Sequence, residues 1–179
     1  MLYYKHDKEM TNTNNLSNNI KIKENQTMTN KLNVKVKKLN ERATIPTYGS
    51  EKAAGADLYA CLPEGVDSIT VNPGETVKFG TGVAFELPEG FASLIMARSG
   101  LSTKHGLAPA NKVGLCDEDY RGEYIVGLHN HSNTPYEVKH GERIAQLVIF
   151  PYIQGIFNEA EELSDTQRGA GGFGSTGKN

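Results

Sequence analysis

The sequence predicts an all-β fold, a jelly-roll-like antiparallel β-barrel or sandwich with one short helix. Three observations carry this prediction. Short runs rich in Val, Ile, Phe and Tyr recur between residues 34 and 150. Turn signals separate them: Pro63-Glu-Gly65, Asn72-Pro-Gly74, Pro88-Glu-Gly90, Asn133-Thr-Pro135 and His140-Gly-Glu142. No long apolar pattern with a 3.6-residue period is present. Many short strands joined by tight turns favour an antiparallel closed architecture.

In chain order, the first expected strands are Val34–Leu39 and Asp57–Ala60. The Asn72-Pro-Gly74 turn separates Ser68–Val71 from Glu75–Lys78. Pro88-Glu-Gly90 divides Val83–Glu86 from Phe91–Met96. Arg98–His105 is the one stretch that reads as helical, with Ser99 as a possible cap. Asn111–Val113 and Glu123–Asn130 flank a dense polar run. Asn133-Thr-Pro135 leads into Tyr136–Val138, and His140-Gly-Glu142 into Arg143–Phe150.

A chain of 179 residues suffices for one domain with a sizeable core. Its charge is uneven. Residues 1–40 hold 8 Lys/Arg and 3 Asp/Glu, whereas the remainder hold 11 and 18. The basic part is rich in Asn and Lys and poor in large apolar residues. Residues 1–32 are therefore expected to be a disordered extension, solvated rather than specifically bound to nucleic acid. Residues 33–163 form the β-barrel domain, and residues 164–179 a flexible glycine-rich arm. No run of about 18 apolar residues exists, so no membrane partner is expected. The N-terminus lacks the apolar block of a signal peptide. Asn15, Asn25 and Asn130 open sequons that read as chance matches in an Asn-rich chain. Cys61 and Cys116 make neither a disulfide framework nor a CxxC pair, so a reduced, cytoplasmic protein is the simplest reading. His129 and His131 read as a strand end rather than a metal pair, because no Cys/His set accompanies them.

Several segments carry chemistry. Ala54-Gly-Ala-Asp57-Leu-Tyr-Ala60 places one carboxylate in a small, apolar strand, which is costly unless the charge is paired or near a metal. Ala97-Arg98-Ser99-Gly100-Leu101 groups a guanidinium, a hydroxyl and open backbone at a strand end, a set suited to phosphate. Gly114-Leu-Cys-Asp117-Glu-Asp-Tyr120-Arg-Gly-Glu123 is the densest polar run. A carboxylate held there on a rigid loop suits a general base acting on water, and Tyr120 offers a flat ring to a sugar. Gln146 interrupts a buried-looking strand and needs a hydrogen-bond partner, with Arg98, Ser99 or a ligand as candidates.

The tail, Arg168-Gly-Ala-Gly-Gly-Phe-Gly-Ser-Thr-Gly-Lys-Asn179, has five glycines, one arginine and one aromatic. Backbone N–H groups turned inward suit an anion, and Arg168 adds a donor fork. Gly169-x-Gly171-x-x-Gly174 and Gly172-x-x-x-x-Gly177-Lys178 superficially match nucleotide-binding fingerprints. Both need a strand before and a helix after, and neither context is present. A mobile arm closing over a site built elsewhere is the expected role.

Taken together and in this order, the segments resemble the trimeric dUTPase family over roughly residues 34–179. Five motifs carry the resemblance: AAGADLYA at 53–60, ARSGLS at 97–102, NKVGLCDEDYRGE at 111–123, GERIAQLV at 141–148 and RGAGGFGSTG at 168–177. The resemblance implies hydrolysis of dUTP to dUMP and pyrophosphate, which supplies dUMP for thymidylate synthesis and keeps uracil out of DNA. It makes Asp117 the base that activates water for attack on the α-phosphorus. Asn111, Gly114, Leu115, Cys116 and a strand contact near Ile125 map to the uracil pocket. Tyr120 maps to the deoxyribose, where it excludes a 2′-hydroxyl. Arg98, Ser99, Gly100 and Gln146 map to phosphate binding. Arg168 maps to the γ-phosphate, Phe173 to an aromatic lid over uracil, and Gly174, Ser175 and Thr176 to lid contacts with the phosphates. Mg²⁺ on the triphosphate is implied as cofactor, with Asp57 reaching it through water. A homotrimer with shared active sites is implied, the arm closing in trans.

Two departures stand out. Ala97 occupies a position where the family often has proline, and Cys116 one where it usually has an aliphatic residue. Cys116 thus puts a thiol beside Asp117 and is expected to make the protein sensitive to thiol reagents unless nucleotide is bound. The alternatives are a dCTP deaminase of the same fold, a non-catalytic nucleotide-dependent regulator and a structural jelly-roll module. The YRGE run and the aromatic tail favour the dUTPase reading over the deaminase, and Asp117 favours it over the regulator. Arg168 and Phe173 count against a structural module.

Overall fold

The computed structural model describes residues 31–172. Residues 1–30, and with them most of the expected extension, lie outside the described residues, as do Phe173, Gly174, Ser175 and Thr176. The strands are β1 (Lys35–Lys38), β2 (Thr47–Tyr48), β3 (Ala56–Tyr59), β4 (Ser68–Val71), β5 (Thr76–Gly80), β6 (Val83–Glu86), β7 (Phe91–Met96), β8 (Leu107–Pro109), β9 (Val113–Cys116), β10 (Ile125–Asn130), β11 (Tyr136–Lys139) and β12 (Arg143–Pro151). A single helix, α1 (Ser99–His105), follows β7.

All strand pairings are antiparallel. The largest sheet has the order β2-β3-β12-β7-β9. A second has the order β5-β10-β8, and two strand pairs, β1-β6 and β11-β4, complete the set. One core joins them. Leu58 on β3, Val71 on β4, Phe79 on β5, Val83 on β6, Leu128 on β10, Val138 on β11 and Ile144 on β12 are all within 1% of full burial. Alternation supplies the inward residues: along β10, Val126, Leu128 and Asn130 are buried, and the residues between them are not. The all-β expectation therefore holds, and the sequence-predicted strands over 68–71, 83–86 and 91–96 keep their boundaries.

Three expectations need correction. The strand expected at Asn111–Val113 lies instead at Val113–Cys116. Asn111 and Lys112 belong to the turn before it, and Lys112 adopts a left-handed φ of 65°. β2 and β8 were not expected; at two and three residues they are too short to show a period. Ser99 is not the helix cap. Arg98 holds the N-cap position without a side-chain cap bond, because a guanidinium only donates and cannot accept a helix N–H. The Asn130 sequon is closed: that residue is fully buried, and its amide donates to Val71 O at 2.9 Å and Thr134 O at 2.8 Å. The His129 and His131 rings pack on each other with centroids 4.3 Å apart, and His129 Nδ1 shares a hydrogen bond with Thr76 Oγ1.

Candidate active site

The strand rows of the large sheet place the first group of residues. Asp57 on β3 stands opposite Gln146 on β12, and Gln146 stands opposite Met96 on β7. The chain leaves β7 at Ala97 and enters α1 through Arg98, so Asp57, Gln146 and Arg98 meet at one end of the sheet. Asp57 is only 8% exposed. Its Oδ1 accepts from Arg98 Nε at 2.8 Å and its Oδ2 from Arg143 Nη1 at 3.0 Å. The cost of a buried carboxylate, evident from the sequence, is thus met by two guanidiniums. Arg143 was not foreseen; a β-bulge between Arg143 and Ala145 interrupts the simple alternation that would have located it. Gln146 finds its partner in the backbone, donating from Nε2 to Ala97 O at 3.0 Å. Ser99 and Gly100 open the helix and are exposed.

A second group surrounds a cleft of about 260 Å³ between β9 and β10. These strands are neighbours in sequence but join different sheets, so they diverge and leave a mouth between them. β9 is the last strand of its sheet, and among the described residues its outer edge has no strand partner. A free strand edge offers alternating N–H and C=O groups, the inventory needed to read the edge of a planar base. Asn111, Gly114, Leu115 and Cys116 line one side; Asp117, Tyr120 and Ile125 line the other parts. All seven were marked in the sequence. Ile95, Glu123 and Tyr124 also line the cleft and were not. Gly114 keeps the space open: a Cβ there would stand 3.1 Å from Asn111 Nδ2 and 3.3 Å from Ile95 Cβ.

The rigid wall of this cleft is Tyr124, which is 1% exposed. Its hydroxyl shares a hydrogen bond of 2.9 Å with Ser93 Oγ, and burial above all pushes its pKa up to about 12. Tyr120 leans on it with ring centroids 5.9 Å apart and donates from its hydroxyl to Glu123 O at 3.0 Å. Cys116 lies opposite Ser93 and packs against the core. Burial pushes its thiol pKa up, and the neighbouring Asp117 charge adds to the shift, against opposing hydrogen bonds from Tyr124 and Ser93. Only the thiolate attacks a thiol reagent, and burial here works against that form.

Asp117 directly follows β9 and is exposed. It borders both the cleft and a second hollow of about 560 Å³, shared with Glu118, Asp119, Phe150 and Tyr152. That hollow carries three carboxylates, so its own field repels a polyphosphate. The cationic group at Arg98 and Arg143 does not line the cleft. Arg168 stands apart from both, its Nε donating to Gly171 O at 2.8 Å. Within one chain the candidate residues thus form three separate sets. No group of three or more His, Cys, Asp or Glu suited to a metal ion is found among the described residues. Both oxygens of Asp57 are taken by guanidiniums, so this carboxylate would meet an Mg²⁺ ion only through that ion's waters.

The chain is similar to known proteins over most of its length. The family model described as dUTPase matches residues 41–177. The deoxyuridine 5′-triphosphate nucleotidohydrolase of Nautilia profundicola is 51% identical over 147 residues, which span 82% of this chain and 100% of that protein. Its counterpart in Desulfitobacterium hafniense is 49% identical over 134 residues, covering 74% and 87%. Among solved structures, a dUTPase variant of Staphylococcus bacteriophage 80alpha with dUpNHpp superposes with a TM-score of 0.72 at 28% identity, covering 81% of this chain and 98% of that one. A dUTPase variant from phage phi11 of S. aureus, described with a structural Mg(II) ion, gives 0.64 at 25% identity, covering 73% and 98%.

Proposed function

The chain belongs to the dUTPase family, and from that premise we propose that it hydrolyses dUTP to dUMP and pyrophosphate as a dUTP diphosphatase. The observation that carries the reading is the cleft between the diverging β9 and β10, with an unpaired strand edge on one side and Asp117 at its rim. Uracil enters this cleft and pairs with backbone groups of β9. Cytosine presents an amino donor where uracil presents a carbonyl, so it leaves a fixed backbone donor without a partner. The closeness of Asn111 and Ile95 to Gly114 supports a pocket only as wide as a pyrimidine. Tyr120 covers the deoxyribose and leaves no room for a 2′-hydroxyl.

Asp117 accepts the proton of the attacking water and aims its oxygen at the α-phosphorus. An exposed carboxylate at a strand end, making no ion pair among the described residues, suits that role. Asp57 would hold the water shell of a magnesium ion carried on the triphosphate, which would supply charge neutralisation there. Arg98, Ser99, Gly100 and Gln146 hold phosphate oxygens. In one chain Asp57 already takes up Arg98 and Arg143, so phosphate shares these donors with the carboxylate.

The three separate sets support a homotrimer in which each active site draws on more than one subunit. The cleft of one subunit receives the base, the cationic set of a neighbour receives the phosphates, and the arm with Arg168 and Phe173 closes over both. Closure excludes water and completes the charge balance. The segment after β12 supports this arrangement. Ile153, Ile156, Phe157 and Leu163 are 89–97% exposed, more apolar surface than an isolated chain leaves in water.

The test is pyrophosphate release with magnesium from dUTP, dCTP, dTTP and UTP in parallel. Turnover of dUTP alone is expected. Ammonia release from dCTP would instead establish a deaminase, and no turnover of any nucleotide a regulator.

A further inference from the structure

Of the three acids of the polar loop without a role in the reaction, two, Glu118 and Glu123, are tied to backbone. Each captures the backbone N–H of a turn glycine. Glu118 Oε2 accepts from Gly90 N at 2.5 Å, and Glu123 Oε1 accepts from Gly82 N at 2.7 Å. Gly82 precedes β6 in the turn from β5, and Gly90 follows it in the turn to β7. The two carboxylates therefore grip the chain at both ends of β6. Between them, within six residues, lies Tyr120, and immediately before Glu118 lies Asp117.

The grip reaches both functional side chains. The Glu123 carbonyl accepts the Tyr120 hydroxyl, so the residue whose carboxylate is tied to Gly82 also fixes the Tyr120 ring. The fit at the Gly82 end is close: a Cβ at Gly80 would stand 3.2 Å from Glu123 Cδ. At the other end, Gly90 O accepts from Tyr152 N at 3.1 Å. Burial first, and then a hydrogen bond to Glu118, push the Tyr152 pKa up. Through Gly90, Glu118 thus ties the start of the C-terminal segment to the loop that carries Asp117. Carboxylates accepting amide N–H bonds make strong, directional ties. They leave the loop little freedom, which a reaction set by the placement of one water and one sugar requires.

We propose that Glu118 and Glu123 are positioning residues that clamp the loop onto β6, Glu118 setting the aim of Asp117 and Glu123 setting Tyr120 as the filter against ribonucleotides. The inference rests on the dUTPase reading of Asp117 and Tyr120.

The experiment compares Glu118→Ala, Glu118→Gln, Glu123→Ala and Glu123→Gln in the full-length protein. Turnover of dUTP and UTP, melting temperature and hydrogen exchange of residues 117–124 are measured for each. Glutamine keeps an oxygen that can accept from the glycine N–H but removes the charge. Glu118→Ala is expected to lower kcat for dUTP by about tenfold or more with a smaller change in KM. Glu123→Ala is expected to raise the ratio of UTP to dUTP kcat/KM by about tenfold. Each alanine variant speeds exchange in the loop, and each glutamine variant restores most of both properties. Should an alanine variant not fold, Glu118→Asp and Glu123→Asp shorten the reach while keeping the charge, and shift the same readouts in the same direction. Unchanged loop exchange in the alanine or aspartate variants overturns the clamp whatever the substrate proves to be. Faster exchange with no change in kcat or in UTP exclusion overturns the assigned roles. Failure of the parent protein to turn over dUTP overturns the dUTPase reading, while the exchange data still decide the clamp.

Discussion

Replacing Asp57 with Asn tests whether the end of the large sheet that leads into Arg98 is held by a buried ion triad. The carboxylate is 8% exposed, and its two oxygens accept from Arg98 at 2.8 Å and Arg143 at 3.0 Å. Removing one partner of a buried pair costs about 3–5 kcal/mol, because the remaining charge stays unpaired. Here the cost is smaller, since the Arg98 side chain is 25% exposed and that of Arg143 49%, so water compensates both in part. Asparagine keeps one acceptor but turns an NH₂ toward a guanidinium. A loss of about 2–3 kcal/mol follows, which lowers the melting temperature by roughly 4–12 °C for a domain of this size. The assay is thermal unfolding at fixed protein concentration, combined with double-mutant cycles using Arg98→Gln and Arg143→Gln. The coupling of Asp57 with Arg98 should exceed that with Arg143, because the latter pair is the more exposed. A fall of less than 2 °C, or equal and near-zero couplings, would refute the reasoning.

The remaining predictions concern the cleft, the tyrosines, the thiol and the arm. Gly114→Ala narrows the mouth against Asn111 and Ile95 and is expected to raise KM for dUTP by about tenfold with little change in melting temperature, as steady-state kinetics will show. Tyr124 and Tyr136 have folded pKa values pushed up to about 12 from the usual 10, so the neutral form is favoured in the folded state. Their contribution is fully present below about pH 10 and is lost as pH rises through about 12. Melting temperature should fall across that window, and Tyr124→Phe should flatten the fall. Cys116 should react slowly with a thiol reagent at pH 7 and faster as pH rises, in a labelling time course; complete reaction within seconds at pH 7 would contradict its burial. Deleting residues 168–179 should lower kcat by at least about tenfold and leave the melting temperature within about 2 °C, because Arg168 bonds only within its own turn among the described residues.

Much of the candidate site was legible in the sequence because it is local. Asn111 to Ile125 is one continuous stretch, and its seven marked residues all border the cleft. Asp57 was legible as a problem, a carboxylate in an apolar strand, though not in its solution. Arg143 answers it from 86 positions away, and no local pattern reports so distant a partner. Glu123 and Tyr124 read as ordinary loop and strand residues until the chain folds. Only then does one carboxylate reach Gly82 and one hydroxyl reach Ser93.

The sequence by itself determined the β class, the strand positions set by Pro and Gly turns, and the order of the five motifs. These depend on neighbours a few residues apart, where turn chemistry and alternation act. Tertiary structure alone decided that β9 and β10 part into different sheets and open the cleft, and that Arg98 faces Asp57 before any phosphate. It also decided that Cys116 turns its sulfur toward the core. Each of these follows from which strands pair across the sheets, a choice made by burying one shared core rather than by any local signal.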